Sequence, residues 1–135
     1  MNAPVLDTHV WIWWIMGSPD LSKAERDALD SLSANDRPVL CDISIWEFAT
    51  LVDLGRLEID MPVEEWLRVT TAPSCVRLQA VTPRIAGEMN LLPSSFHRDD
   101  PADRLIVATA RALGLPLATH DRKIRKSRLA PLWKA

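Results

Sequence analysis

Short apolar segments of strand length alternate along the chain with longer stretches whose apolar residues recur at helical spacing. Residues 3–6, 38–42 and 115–119 are apolar runs, and the first and last of these lack the polar alternation of a half-exposed strand. Residues 76–80 do alternate, with Arg and Gln between apolar positions. The pattern therefore predicts a parallel sheet with the first and fourth strands inside and the third at the edge.

The helices between these strands begin and end with recognisable residues. Ser22 with Glu25 and Ser44 with Glu47 match the capping-box pattern, in which two side chains satisfy free amides at a helix start. Capping alone is a complete structural explanation for a carboxylate at position 47. The predicted helices cover residues 10–16, 22–34, 44–55, 63–72, 82–92 and 100–113. Strands that alternate with helices predict an α/β fold with a doubly wound parallel sheet, to which residues 131–133 add a fifth strand.

The helix 100–113 and the strand after it are the most informative stretch. Asp100 followed by Pro101 predicts a helix start, and Gly114 predicts its end. Asp103 lies one turn before Val107 and two turns before Ala110, so its side chain leans toward an apolar flank of the helix. Burial of an isolated carboxylate at such a flank costs free energy. We expect a buried stripe and a wetter face, made respectively of Leu105, Ile106, Thr109, Ala112 and Leu113, and of Arg104, Ala108 and Arg111.

The segment VWIWWIM, residues 10–16, is apolar on every helical face. Trp11, Trp13 and Trp14 cannot all point in one direction at helical spacing. We therefore hypothesise that at least one of these indoles lies in a subunit or partner interface.

Length and composition indicate one domain of an ordinary globular protein. The chain has 135 residues, 47% of them hydrophobic and 25% charged, and no apolar run approaches the ~20 residues of a membrane helix. The N-terminus lacks the pattern of a secretory signal, so we expect a cytoplasmic protein with residues 1–135 as a single domain. Cys41 and Cys75 lack close-spaced metal-ligand partners, and we interpret them as reduced core thiols.

The net charge of −2 is unevenly distributed. Residues 122–135 carry six Lys or Arg and no acid, which leaves −8 on residues 1–121. This basic segment, with Arg122, Lys123, Arg125, Lys126 and Arg128, is suited to phosphate contacts. A solvated helix face is an equally good explanation of the same charges.

Four acids fall where the carboxyl ends of the predicted strands meet. They are Asp7, Glu47, Asp103 and Asp121. Two carboxylates about 4 Å apart repel by roughly 4 kcal/mol at an effective dielectric of 20, so such a cluster is costly without a cation. An all-oxygen ligand set suits Mg²⁺ or Mn²⁺, which commonly act on phosphates. The pattern therefore predicts a metal site, although each acid alone has an ordinary explanation.

Other chemistries have weaker support. The sequence lacks the glycine motifs of P-loop, dinucleotide-binding and serine-hydrolase proteins. The three histidines, His9, His97 and His120, lie close in sequence to the acids; we interpret them as surface or supporting residues, with substrate orientation as the alternative. Ser44 and Thr119 are candidates for hydrogen bonds to a ligating carboxylate.

The chain resembles the PIN-domain ribonuclease toxins of VapBC-type toxin–antitoxin pairs. The likeness rests on LDTHVWIWW, SIWEFATLVDLGRL and HRDDPADRLIVATARALGLPLATHD, in that order and at the family's spacing. It implies a three-layer α/β/α fold with a central parallel sheet of four to five strands, and a homodimer inhibited by a small antitoxin protein. Ala102 departs from the Phe that many relatives carry there.

The resemblance also implies roles for individual residues. Asp7, Glu47, Asp103 and Asp121 would hold Mg²⁺ or Mn²⁺ for endonucleolytic hydrolysis of RNA, with Thr119 lining the site. Asp100 either assists or only caps the helix, and Arg98, Arg104 and the basic segment are candidates for RNA contacts. Two alternatives stay open: a receiver-type signalling module, and an acidic α/β interaction module without catalytic activity.

Overall fold

The computed structural model describes residues 3–135, which form four strands and seven helices. The strands are β1 (Val5–Leu6), β2 (Val39–Cys41), β3 (Arg77–Gln79) and β4 (Leu117–Ala118). The helices are α1 (Thr8–Met16), α2 (Lys23–Asp30), α3 (Asp42–Asp53), α4 (Val63–Thr70), α5 (Pro83–Leu91), α6 (Pro101–Leu113) and α7 (Arg122–Ser127).

The four strands form one parallel sheet in the order β3-β2-β1-β4. The predicted edge position of β3 and the central position of β1 are confirmed. A parallel bridge between Leu117 and Leu132 extends the sheet beyond β4. Two backbone bonds hold it, from the Leu117 amide to the Pro131 carbonyl at 2.8 Å and from the Trp133 amide to the Leu117 carbonyl at 2.9 Å. The predicted fifth strand therefore exists as a single bridge, and β4 is covered on both sides.

Successive strand residues point into two different cores, as the two-residue period of a strand requires. Val5, Val39 and Leu117 belong to one core, which α5, α6 and α7 cover. Their neighbours Leu6, Leu40 and Ala118 belong to the other core, which is covered by α1 to α4. The fold is thus the three-layer α/β/α architecture expected from the sequence.

Aromatic rings dominate the second core. Phe48 stacks on Trp66 with ring centroids 4.0 Å apart, and Trp11 packs edge-on against both rings. Trp11 is fully buried, whereas Trp13 and Trp14 are only partly covered. The hypothesis that one of these indoles lies in an interface remains a prediction.

The start of α3 differs from the predicted capping box. The helix begins at Asp42 rather than Ser44, after Cys41, which makes no side-chain capping bond. Ser44 is fully buried and bonds to another side chain, so Glu47 does not cap this helix. By contrast, the Ser22–Glu25 capping box of α2 is present, although that helix ends at Asp30 rather than near residue 34.

Two predicted surface patterns were wrong. Ala108 is fully buried because α6 is covered on more sides than a surface helix, whereas Leu113, at the exposed end of α6, retains 39% of its accessible surface. The alternation in residues 76–80 predicted a buried position for Leu78. Leu78 is instead 48% exposed, because the core does not cover its face of the edge strand β3.

Both cysteines are free thiols, as expected; Cys41 is buried and Cys75 only partly so. Burial raises the pKa of the Cys41 thiol to about 11, which keeps it protonated. No helix among residues 3–135 combines the length and the apolar character needed to cross a membrane.

Candidate active site

The carboxyl ends of the parallel strands bring acids from distant parts of the chain to one edge. Asp7 directly follows β1 and caps α1, accepting a hydrogen bond from the Thr8 amide at 2.8 Å. Asp121 follows β4 after two residues and caps α7 through the Ile124 amide at 2.9 Å. This is the edge at which open parallel sheets bind their ligands.

Thr119 connects these two acids directly. Its hydroxyl donates to Asp7 Oδ2 at 2.7 Å and accepts from the Asp121 amide at 3.0 Å. Thr119 and Asp7 are both buried. The predicted role of Thr119 as a site-lining hydroxyl corresponds to a bond that fixes the orientation of the Asp7 carboxylate.

A second hydroxyl connects the start of α1 to α3. Thr8 Oγ1 donates a short hydrogen bond to Glu47 Oε1 and lies 2.8 Å from Ser44 Oγ. Because a hydroxyl carries a single proton, the bond to Glu47 leaves Ser44 as the donor to Thr8. Glu47 is therefore oriented from the first turn of α1. Thr8 was not among the residues predicted from the sequence to contact a ligating carboxylate. The segment LDTHVWIWW places it directly after Asp7, and a hydroxyl next to an acid at a strand end could have indicated this role.

Asp100 and Asp103 meet at the start of α6. Asp100 Oδ1 accepts from the Asp103 amide at 3.1 Å, so Asp100 does cap the helix. Arg104 lies on the other side of this turn and donates to the carbonyls of Met89, Pro93 and Phe96. This geometry replaces the expectation that Arg104 contacts RNA, because its guanidinium ties the α5–α6 loop to α6. Arg98 is exposed.

Burial and mutual repulsion raise the pKa of three of these acids. Desolvation is the largest cause for Asp103, followed by the charges of Asp7 and Asp100, and its pKa rises to about 8. Desolvation also raises the pKa of Asp7, against the opposing hydrogen bond from Thr119. The pKa of Glu47 rises for the same main reason, with the charges of Asp100 and Asp7 adding to it. The protein alone thus stabilises these carboxylates poorly.

Of the three histidines, His97 lies between the acids. Its Nδ1 is 3.3 Å from Asp103 Oδ2, and its Nε2 is 3.5 Å from Asp121 Oδ1. His97, Asp100 and Asp103 bring one potential ligand atom each within 4.8 Å of one another. His120 instead bonds to Glu25 through Nε2 at 2.7 Å, and His9 is exposed.

The donor set fits a divalent cation. The charges of Asp7, Glu47, Asp103 and Asp121 couple electrostatically, each to at least one other, and His97 lies between Asp103 and Asp121. Among residues 3–135, the ligand atoms found within 4.8 Å of one another are those of His97, Asp100 and Asp103, so the structure does not itself bring all four predicted acids to ligand distance. A cation between these oxygens would reverse the repulsion that raises the pKa of the acids. Carboxylate-rich sites of this kind suit Mg²⁺ and Mn²⁺.

Comparisons with known proteins agree with this geometry. A family model described as PIN domain matches residues 5–128. The chain is also 38% identical over 128 residues to Ribonuclease VapC22 of Mycobacterium tuberculosis, a match that covers 95% of this chain and 94% of that protein.

The raised pKa of Asp103 predicts how stability depends on pH. An acid with a folded-state pKa near 8 and an unfolded value near 3.9 stabilises the fold fully below about pH 4, and that stability is lost as pH rises through 8. Asp103→Asn removes this loss. In EDTA, the free energy of unfolding of the variant relative to the parent should increase by more than about 1 kcal/mol between pH 5 and pH 8.

Urea unfolding at the two pH values measures this difference. Asp53→Asn changes an exposed acid at the C-terminal end of α3 and is the matched control. Its free energy of unfolding should depend on pH as that of the parent does. An Asp103→Asn variant whose stability relative to the parent is the same at both pH values would contradict the assigned environment of Asp103.

Proposed function

The chain belongs to the PIN domain family, and from this premise we propose that it is a Mg²⁺- or Mn²⁺-dependent endoribonuclease, the toxin of a type II toxin–antitoxin pair. The observation that carries the proposal is the convergence of four acids at one sheet edge, with the pKa of three of them raised. The relative named as a ribonuclease, similar over nearly its whole length, supports the choice of RNA as the substrate.

In this proposal the four acids have different roles in binding the ion. Asp7, Glu47 and Asp103 would hold the principal cation, and Asp121 would complete that site or help to bind a second ion. A cation held by these acids would supply Lewis-acid polarisation of the phosphodiester and activation of water. Residues 1–135 act here as a single PIN domain in the cytoplasm.

The surrounding side chains keep the acids in position. Thr119 fixes one oxygen of Asp7, and Thr8 with Ser44 fixes Glu47. Asp100 holds the first turn of α6 and so the position of Asp103. Such supporting bonds restrict the rotamers of the ligating groups, which lowers the entropic cost of binding an ion.

An RNA strand can approach this acidic edge only if basic side chains lie beside it, because the carboxylates otherwise repel the phosphates. Arg98 and Lys123 line a cleft of about 380 Å³ that also contains His97 and Asp100. A second cleft of about 530 Å³ is lined by Arg122, Arg125 and Lys134 together with Trp133. We propose that the RNA backbone approaches the acids through these basic clefts, with the aromatic ring available for stacking on a base.

The proposed protein partners are a cognate antitoxin and a second copy of the chain. A groove of about 480 Å³ runs along α1, lined mainly by apolar residues such as Ile12, Trp13 and Leu57. His9 is part of its lining, so the groove begins two residues from Asp7. A partner in the groove would cover Trp13, as the interface hypothesis requires.

Neutralising single acids tests the catalytic proposal. Asp7→Asn and Asp103→Asn should each lower metal-dependent cleavage of total RNA at least about 100-fold, since each removes a ligand charge while keeping side-chain volume. EDTA should abolish cleavage by the parent. Fragment ends can be counted by sequencing, so that no target needs to be known in advance.

Glu58→Gln, an exposed acid after α3, is the control and should cleave like the parent. Cleavage at near the parental rate by an Asp variant would remove that residue from the mechanism. RNA binding without any metal-dependent cleavage would favour the inactive interaction module instead.

Neutralising the cleft cations tests the proposed RNA path. In an Asp7→Asn background, the double change Arg98→Gln with Lys123→Gln should weaken binding of a single-stranded RNA. The slope of log affinity against log salt should fall by about 1.4, because two phosphate contacts are lost. Fluorescence anisotropy at several salt concentrations measures the slope.

Arg77→Gln provides the control, since this exposed cation begins β3 at the opposite end of the strand. An unchanged slope in the double variant would place the RNA path elsewhere.

A further inference from the structure

His97 is a buried imidazole without a hydrogen-bond partner at Nε2. Its side chain is only 10% exposed, and Nε2 is one of two buried side-chain nitrogen or oxygen atoms among residues 3–135 that lack a hydrogen bond. An unsatisfied buried polar atom costs about 1–3 kcal/mol, so such atoms are rare unless a ligand satisfies them. The other atom, Trp11 Nε1, lies in the aromatic core, whereas His97 faces acids.

The distances around His97 fit shared coordination better than direct hydrogen bonding. Charge-assisted bonds between nitrogen and carboxylate oxygen are about 2.7–2.9 Å long. Nδ1 lies 3.3 Å from Asp103 Oδ2, whereas the other ring nitrogen, Nε2, lies 3.5 Å from Asp121 Oδ1. Neighbouring ligands of an octahedral ion with bonds of 2.0–2.1 Å lie roughly 3 Å apart. The two ring nitrogens point in different directions, so only the spacing between Nδ1 and Asp103 Oδ2 can belong to one ion, and it needs only a small contraction.

The loop that carries His97 is held independently of any ion. Arg104 Nη1 donates to the carbonyls of Pro93 and Phe96, at 2.9 and 2.7 Å. The Phe96 ring packs edge-on against the imidazole, with centroids 4.6 Å apart. Asp100 then caps α6 and brings Asp103 into the same turn. The loop therefore presents the ring to the acids in a fixed orientation.

We propose that His97 is itself a metal ligand through Nδ1, which together with Asp100 and Asp103 forms a mixed nitrogen and oxygen site that prefers a first-row transition ion, Mn²⁺ among them, to Mg²⁺. The proposal rests on the proposed function, since it concerns the same acidic edge, and it adds a ligand outside the four acids.

The nitrogen ligand determines the preference. Mg²⁺ is a hard ion that takes oxygen ligands and gives up its water reluctantly, so an imidazole contributes little to its binding. First-row transition ions accept imidazole readily, and their affinities for nitrogen-containing sites rise along the series from Mn²⁺. Nδ1 beside two carboxylates therefore gives the transition ion an additional favourable bond. Coordination through Nδ1 leaves the proton on Nε2, which faces Asp121 Oδ1 as its acceptor, the arrangement typical of a metal-bound histidine.

Pulsed electron paramagnetic resonance of the Mn²⁺-loaded full chain tests the proposal without measuring activity. The parent should show modulation from a directly coordinated ¹⁴N nucleus, and His97→Asn should lose it. Asparagine tolerates the left-handed backbone of position 97, where φ is 43°, so this variant keeps the loop conformation. Isothermal titration should show Mn²⁺ affinity lowered at least about tenfold and Mg²⁺ affinity changed less than about twofold.

His120→Asn is the control, because this histidine bonds to Glu25 and should not affect the ¹⁴N signal. If Mn²⁺ binds the parent without ¹⁴N modulation, the His97 inference is overturned while the carboxylate site stands. If neither ion binds the parent, the inference and the proposed metal-dependent function fail together. Since the decisive spectrum comes from the parent protein, the test does not depend on a variant that folds.

Discussion

Repulsion among carboxylates at the carboxyl end of a parallel sheet is the constraint on which the site depends. Parallel strands place their following residues at one edge, so Asp7 and Asp121 meet there although 113 residues separate them in the chain. The fold then adds Glu47 and Asp103 from two helices. The raised pKa of Asp103, near 8, reflects how little the protein itself compensates this charge. In the proposed function, the local loss of stability accompanies affinity for a cation.

Hydroxyl groups and a single arginine hold this costly arrangement in place. Thr119 bonds to both strand-end acids, and Thr8, at the start of α1, bonds to Asp7 through its amide and to Glu47 on α3 through its hydroxyl. Arg104 contributes from a distance, since its three bonds to backbone carbonyls fix the loop before α6. None of these groups needs to touch a substrate to affect the reaction. Each limits the positions that the acids can adopt, and that is how a supporting group changes metal affinity.

The features that the sequence predicted well are those set by local patterns. Apolar runs identified β1, β2 and β4, and the alternation of polar and apolar residues identified β3 and its position at the sheet edge. Asp100 followed by Pro101 was identified as a helix start from the local sequence alone. The acids were grouped because the topology of a parallel sheet implies a common edge, and their assignment to one metal site stays a prediction. The resemblance to PIN-domain toxins added the assignment of function.

The features that the sequence missed depend on contacts between distant residues. Ser44 looked like a helix cap with Glu47, yet its hydroxyl bonds to Thr8, 36 positions earlier. His97 and Arg104 were each interpreted from local sequence, but their roles depend on how the α5–α6 loop folds back on α6. No local pattern reports such a fold. The exposed Leu78 likewise depends on what covers the edge strand.

The central claim is that the acidic edge binds a divalent cation in the absence of substrate. Thermal unfolding of the purified chain in EDTA, Mg²⁺ and Mn²⁺, for the parent and Asp7→Asn, tests it most directly. An ion at about 100 times its dissociation constant adds roughly 2.7 kcal/mol, so the parent should melt several degrees higher. Asp7→Asn should show no such rise. A parent without a shift in either ion, or a variant with the same shift, would contradict the claim.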